Sequence, residues 1–411
     1  MPRALFYGWV VVGAAFVSHF LAYGTQVVAF GLFLPAMADG LHVSRAALSA
    51  TFGLARLVSA AVAPALGMLV DRRGPRWLIA LGTLTVAGGA AVLAGAQAGW
   101  HVIVGYAVLM AIGGVALGEL SADATVTRWF VRRRGRALAV ATMGLSTAGI
   151  VIPLPLASAI TALGWRGAWL ALAIVVLVLG TGAAFAMRAR PEDHGLVADG
   201  GLPADASPEV AFTARQALRL PAFWLLVIGT NLGGLALFGV NIHLYSYLGD
   251  RGLPPATAAA VVTLLYVLHT GAKPLWGVIA ERVHVRYCIA ACYAGGGVGI
   301  LILLVSPHFA AVLAFTVVYG LTRGAQSFVT SLAWADYFGR EAQGTIRGLA
   351  APARFIASAA GPMLGGWLYD ATGSYTQALV VFALAFLLGG LVAGAARAPV
   401  STTDRSPLRG S

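Results

Sequence analysis

Twelve apolar runs recur along the chain, at 7–37, 46–70, 76–97, 101–127, 137–161, 166–187, 222–247, 257–280, 286–305, 308–335, 347–369 and 375–396. A hydrocarbon layer about 30 Å thick takes about 20 helical residues to cross. Inside it, each segment must satisfy its own backbone N–H and C=O groups, which leaves helices or a closed barrel. Runs of this length and number select helices. The composition agrees: 59% of residues are hydrophobic and 10% charged, against roughly 45–50% and about 25% in soluble domains. The 52 glycines suit helices that approach closely without water between them. No small-residue cleavage site separates "MPRALFYG" from the first run, so insertion is expected through the first helix itself. Cys288 and Cys292 lie four apart in an apolar run and read as packed thiols. Two sulfurs on one turn do not complete a zinc site, and no metal or cofactor is expected.

The net charge of +12 would suit nucleic acid if the cations formed one patch, but they are sorted by loop. Twenty arginines, among them Arg3, Arg72, Arg76, Arg128, Arg134, Arg282, Arg286, Arg347, Arg405 and Arg409, fall on the side of the termini and the central segment. Three, Arg45, Arg166 and Arg251, fall on the other side. The excess of basic residues in cytoplasmic loops places both termini in the cytoplasm, in a multi-pass protein of a bacterial-type inner membrane. A nucleic-acid partner is excluded. Four cations remain inside apolar runs: Arg56, Lys273 (the single lysine), Arg323 and Arg354.

The chain also repeats itself. "GMLVDRRGPR" from Gly67 matches "GVIAERVHVR" from Gly277 in glycine, acid, arginine and distal arginine. The entries to runs five and eleven, "WFVRRRGRALAVA" and "YFGREAQGTIRGLAAP", match more loosely. The expected division is 1–187, a six-helix bundle; 188–221, a cytoplasmic central loop; 222–396, a second six-helix bundle; and 397–411, a cytoplasmic tail. Two equivalent halves around a central site are the repeat logic of alternating-access carriers.

On these residues the chain resembles the major facilitator superfamily. "FYGWVVVGAAF", "WFVRRRGRALAVATMGLSTAG" and "RARPEDHGL" narrow the resemblance to its monocarboxylate transporter and oxalate/formate antiporter branch. The implied fold is all-α, with twelve transmembrane helices in two pseudo-symmetric six-helix bundles. The implied function is alternating-access transport of a small organic carboxylate, with carboxylate antiport of the oxalate/formate type as the alternative and drug or metabolite export as a third reading. The resemblance gives Lys273 the place of a carboxylate-binding arginine, with His269 where relatives carry an aspartate. Arg354 stands where oxalate-handling relatives place a second basic residue, and Gln26 where they place a hydrogen-bonding one. The acid and arginines Asp71, Arg72 and Arg76, with Glu281, Arg282 and Arg286 in the second copy, are implied to hold the cytoplasmic ends together.

A cation in the bilayer centre costs about 2.5–3.5 kcal/mol on insertion scales, so each is expected to face a partner or a watery cavity. The alternative for each is snorkelling or a structural ion pair. Lys273, deep in its run and followed by Pro274, is placed at the substrate, with Arg354 opposite and Arg323 as a further candidate; Arg56 reads as structural. Glu119 and Asp123 are the acids available within the runs. Glu119 is a candidate proton carrier or a partner for Arg56 or Arg323, and Asp123 reads as structural. His269 lies four residues before Lys273, on the same helix face. The lysine opposes a proton on His269 and a bound carboxylate offsets that opposition, which predicts proton and monocarboxylate moving together as symport. The expected partners are thus a small organic anion, protons and the lipid bilayer, with a single chain as the transport unit. No Walker loop, HExxH or G-x-S-x-G occurs, and an enzyme is not expected.

Overall fold

The structure is a computed structural model that describes residues 6–200, 212–306 and 308–399. Arg3, Arg405, Arg409, the central stretch 201–211 and the side chain of Arg45 lie outside the described residues. The described chain forms twelve long helices and no strand. In the first half they are α1, Gly8–Leu41; α2, Arg45–Arg73; α3, Pro75–Ala94; and α4, Gly99–Trp129. Helix α5 begins as Arg134–Val151 and continues through 153–163, and α6 covers 165–186. Gly164 makes the turn between these two at φ +68°, a left-handed conformation that costs glycine nothing. The second half holds α7, Pro221–Asp250; α8, Pro255–Ile279; α9, Val285–Val305; α10, Phe309–Phe338; α11, Gln343–Thr372; and α12, Thr376–Ala395.

Packing follows the repeat. Helix α1 lies on α5, and α3 on α4 and α6; correspondingly α7 lies on α11, and α9 on α10 and α12. Eight helical runs qualify as membrane spans on length and hydropathy alone. Helices α8, α10 and α11 do not, and they carry Lys273, Arg323, Arg347 and Arg354. Their polarity turns inward, toward the boundary between the halves.

The two main joints across that boundary are α2 on α11 and α5 on α8, both tied at the arginine-rich end. Each is built the same way. A Cβ on Gly67 would stand 2.1 Å from the Gly344 carbonyl oxygen, and one on Gly135 2.6 Å from that of Gly277. Backbones can approach this closely only through glycine. Beside each glycine an acid reaches the start of a helix in the opposite half. Asp71 Oδ1 accepts from Gly344 N (3.1 Å), and Oδ2 accepts from Thr345 N (2.6 Å). Glu281 Oε1 accepts from Arg136 N at 3.2 Å. The first N–H groups of a helix lack internal acceptors and carry partial positive charge, so a carboxylate satisfies both deficits.

Arginines from the end of α4 and the start of α5 complete the seal. Arg128 bonds Asp71 at 2.7 Å, Arg134 bonds Asp336 at 2.9 Å and Arg136 bonds Glu281 at 2.8 Å. Three arginines counted by loop are therefore not surface charges. Arg128, Arg134 and Arg347 are all buried, because each sits where the opposite bundle covers its end of the helix. The central segment is tied to the same end: Asp199 accepts from the N–H groups of Val131, Arg132 and Arg133, just ahead of α5. Away from that end, Leu57 on α2, Leu154 on α5 and Met363 on α11 are exposed.

The Gly67 crossing meets main chain, which cannot swing aside, so Gly67→Ala is expected to force the α2–α11 joint apart. Overpacking of this kind costs about 1–3 kcal/mol. Spin labels on the exposed positions Trp77 and Val283, one in each half at the arginine-rich end, should report a longer distance. An unchanged distance distribution in Gly67→Ala would show that the joint does not hold this end closed.

Candidate functional site

Between the two halves lies a cavity of about 440 Å³. Its wall includes Arg56, Lys273, Arg323, Arg347 and Arg354 together with Glu119. The sequence expects four cations here; the structure adds Arg347. That residue lies one turn into α11 and seven residues before Arg354, on the same helix face.

Lys273 is fully buried on α8. Its Nζ donates to the Thr142 carbonyl (2.7 Å) and to Ser146 Oγ (3.0 Å), both on α5 in the other half. No carboxylate lies within ion-pair distance of it among the described residues. The ammonium is thus held by neutral acceptors at the α5–α8 joint, on the cavity wall, rather than projecting freely into the space. Pro274, next in the helix, cannot donate to the carbonyl four residues back, which loosens α8 at this level. His269 lines the cavity one turn away, and its Nδ1 is buried without a hydrogen-bond partner.

Arg323 is buried on α10, with its guanidinium 5.3 Å from the centre of the Tyr266 ring. Arg56 stands 4.6 Å over Phe52. Neither meets an acid among the described residues. Aromatic faces attract a cation but leave its charge in place. Arg56, Lys273 and Arg323 therefore form a group of unneutralised cations around one cavity.

The acids are committed elsewhere. Helix α4 breaks at Gly118 (ψ −149°), so Glu119 opens a new helical segment at the cavity. Glu119 pairs with Arg354 and lies 3.5 Å from Arg347. The sequence offered Arg56 or Arg323 as its partner; both partners instead come from α11, which the α2 joint presses toward α4. Asp123, one turn on, is fully buried and receives three groups. His19 of α1 lies at 2.7 Å, Arg347 at 3.0 Å and the Ser331 hydroxyl of α10 at 2.5 Å. One chain of polar contacts thus runs from α1 through α4 and α10 to α11, joining both halves at the floor of the cavity.

Gln26 also lines the cavity, with its side-chain amide held by the first half. It lies in Gly24–Ala29, which is wound as a π-helix, and faces Ile103–Met110 of α4, also π-helical. A π segment shifts the ladder to i→i+5 and leaves carbonyls free for other donors. Gln26 Nε2 donates to the Met110 carbonyl at 2.6 Å, and the Tyr106 hydroxyl donates back to the Gln26 carbonyl. The Gln26 amide nitrogen is thus engaged within the first half.

The expected gate divides. Asp71 and Glu281 both bridge the halves, as described above. The arginines of the same loops do not: Arg76 stacks on Phe185 of its own half, Arg286 meets its neighbour Tyr287, and Arg72 and Arg282 are exposed. Bridging arginines come from the end of α4 and the start of α5. The sequence did not single out His19, Arg347 or Ser331. His19 precedes Gln26 by seven residues, and Arg347 precedes Arg354 by seven; that shared spacing was the available signal.

Gly114 is the position on which the Gln26 contact depends, since a Cβ there would stand 1.5 Å from Gln26 Nε2. Gly114→Ala is expected to expel the amide and leave a buried carbonyl unpaired, at a cost of about 1–3 kcal/mol. In thermal unfolding, the same change should cost little once Gln26 is already alanine; equal losses in both backgrounds would show the two residues to be uncoupled.

The family model for the Major Facilitator Superfamily matches residues 15–271 and 234–410. Human monocarboxylate transporter 11 is 28% identical over 397 residues, covering 94% of this chain and 82% of that protein. The oxalate:formate antiporter of Oxalobacter formigenes is 25% identical over 362 residues, covering 85% and 82%. Among solved structures, the transporter FucP of E. coli in the outward conformation superposes with a TM-score of 0.71 at 16% identity, over 92% of this chain and 97% of that one. With two matching six-helix halves, a closed arginine-rich end and a central cavity between them, this chain belongs to the Major Facilitator Superfamily, as a membrane transporter rather than an enzyme.

Proposed function

We propose that this transporter carries a small organic carboxylate by alternating access, as proton-coupled symport of a monocarboxylate. The observation that carries the reading is the group of three cations, Lys273 and Arg323 buried and Arg56 half-buried, that face one cavity without an acid among the described residues. Such a cavity repels cations and draws anions, and charge-assisted bonds to carboxylate oxygens are roughly twice as strong as neutral ones. The relatives named for monocarboxylates and for oxalate and formate support the same class. Arg323 and Lys273 are the proposed anchors, with Arg354 entering when Glu119 releases it. The basic-residue bias supports an arginine-rich end that faces the cytoplasm of a bacterial-type cell, so that the state described here opens outward.

The same excess of positive charge favours a second reading. An empty cavity with unneutralised cations crosses the occluded state at a higher cost than a loaded one, which is the condition for exchange of one anion for another. Net uptake and counterflow distinguish the two.

In proteoliposomes, radiolabelled lactate, formate and oxalate are tested with and without an inward proton gradient. Accumulation driven by the gradient supports symport, and exchange without it supports antiport. Transport of a hydrophobic cation with no carboxylate moved would overturn the anion reading. Lys273→Ala and Arg323→Ala should each lower carboxylate transport by about 10–100-fold, the equivalent of about 1.5–3 kcal/mol for one charge-assisted contact. His269→Gln and Glu119→Gln report on the two candidate proton carriers through the pH dependence of uptake.

A further inference from the structure

We propose that the coupled proton binds at His19, and that its binding loosens the contact between α4 and α11; the link to transport rests on the symport reading above. His19 is fully buried on α1 and belongs to the cavity wall. In the neutral ring, Nε2–H donates to Asp123 Oδ1 at 2.7 Å, and Nδ1 is buried with no hydrogen-bond partner. With Nε2–H given to the carboxylate, Nδ1 holds the ring's remaining lone pair, and an incoming proton goes there. The imidazolium so formed stays beside an anion already in place.

The consequence lies in what else Asp123 holds. Its Oδ2 accepts from Arg347 Nη2 (3.0 Å) and from the Ser331 hydroxyl (2.5 Å), both in the second half. Before protonation Arg347 is the charged donor on Asp123 and His19 a neutral one. After protonation two cations compete for one carboxylate, and Arg347 is the one whose helix can withdraw. Arg347 Nη1 is itself buried without a partner, so this guanidinium has donor capacity unused in the present state. Withdrawal of α11 from α4 would pull on the Gly67–Gly344 joint one helix away.

The charged groups around His19 are few. From α4 come Asp123 and Glu119, and across the boundary Arg347 and Arg354 from α11 and Lys273 from α8. Helices α5 and α6, which also pack on α1, have their arginines occupied at the ends, Arg134 by Asp336, Arg136 by Glu281 and Arg166 by the Ala96 carbonyl. His269 differs: no acid pairs with it among the described residues, and Lys273 lies one turn away on its own helix. On geometry alone, His19 is the better proton site.

The test needs no substrate. Full-length protein in nanodiscs carries spin labels at Trp77 and Val283, and the distance distribution is recorded from about pH 8 to about pH 5.5, the range in which histidine changes charge. Acidification is expected to shift the wild-type population toward the longer distance. His19→Gln keeps a donor for Asp123 but cannot take up a proton; it should hold the short distance across the range, while His269→Gln shifts as wild type does. Ser331→Ala removes the hydroxyl shared by Asp123 and Arg347 and should move the midpoint to higher pH, which keeps the test open if His19→Gln does not fold. A pH-dependent shift retained in His19→Gln, or no midpoint change in Ser331→Ala, overturns the proposal. Lactate counterflow in His19→Gln checks the transport link separately. Counterflow preserved with gradient-driven accumulation lost is expected, whereas loss of both makes His19 structural. Failure of wild type to move any carboxylate would remove the substrate reading and leave the distance result standing.

Discussion

A carboxylate on the first N–H groups of a helix in the opposite half is the contact on which the rest of this structure depends. Asp71 makes it to α11 and Glu281 to α5, each beside a glycine that lets the two backbones meet. The arrangement satisfies donors that no helix can satisfy for itself and sets a negative charge against a positive helix end. It also brings the two halves together at the arginine-rich end. Everything else at the boundary follows from that: α11 is held where Arg347 and Arg354 reach the acids of α4, and α8 where Lys273 reaches α5.

The polar floor of the cavity is best understood as two opposed arrangements of charge. On the α4–α11 side, acids and arginines are matched, and removing one partner would strand a buried charge, which is far more costly than the pair's net contribution to stability. On the α5–α8 side, the ammonium of Lys273 is satisfied only by a carbonyl and a hydroxyl. One side is already neutral and the other lacks an anion. On the carboxylate reading, a monoanion is drawn to one face of the cavity, while the proposed proton has its place in the network on the other.

Much of this was legible in the sequence, because membrane insertion writes its constraints locally. Run length gave the helices, arginine bias gave the sides, and the "GMLVDRRGPR" repeat marked both joints through its glycine and its acid. What one dimension did not carry was which side chains meet. Arg347 was indistinguishable from a loop arginine because it lies at the start of α11, and its burial comes from α4, more than two hundred residues away. Asp123 gave no sign of His19 for the same reason. The bridging arginines of the seal also come from outside the repeat, so the motif located the joint but not its partners. The π segments around Gln26 and Tyr106 have no hydrophobic period that separates them from ordinary helix.

The repeat reaches further than the loop motif, and where it fails is informative. Aligned on Gly67 and Gly277, Pro64 matches Pro274, and the residue before it is Ala63 in α2 but Lys273 in α8. At the α2 joint Ala63 is buried and its carbonyl lies 2.8 Å from where a Cβ on Gly348 would stand, so the contact is close and apolar. At the equivalent place in α8 the lysine side chain spans the boundary instead. At the level of Ala63 the α2 joint is held by packing, and no cationic side chain stands there for an anion to displace. The α5 joint contains an ammonium on two neutral acceptors, and a carboxylate arriving within reach of Nζ offers it a stronger, charge-assisted partner. On the carboxylate reading, occupancy of the cavity therefore acts on one joint while the proton acts, through Asp123 and Arg347, beside the other. Pseudo-symmetry supplies two similar joints, and on that reading the lysine in place of one small residue makes one of them responsive to the cargo.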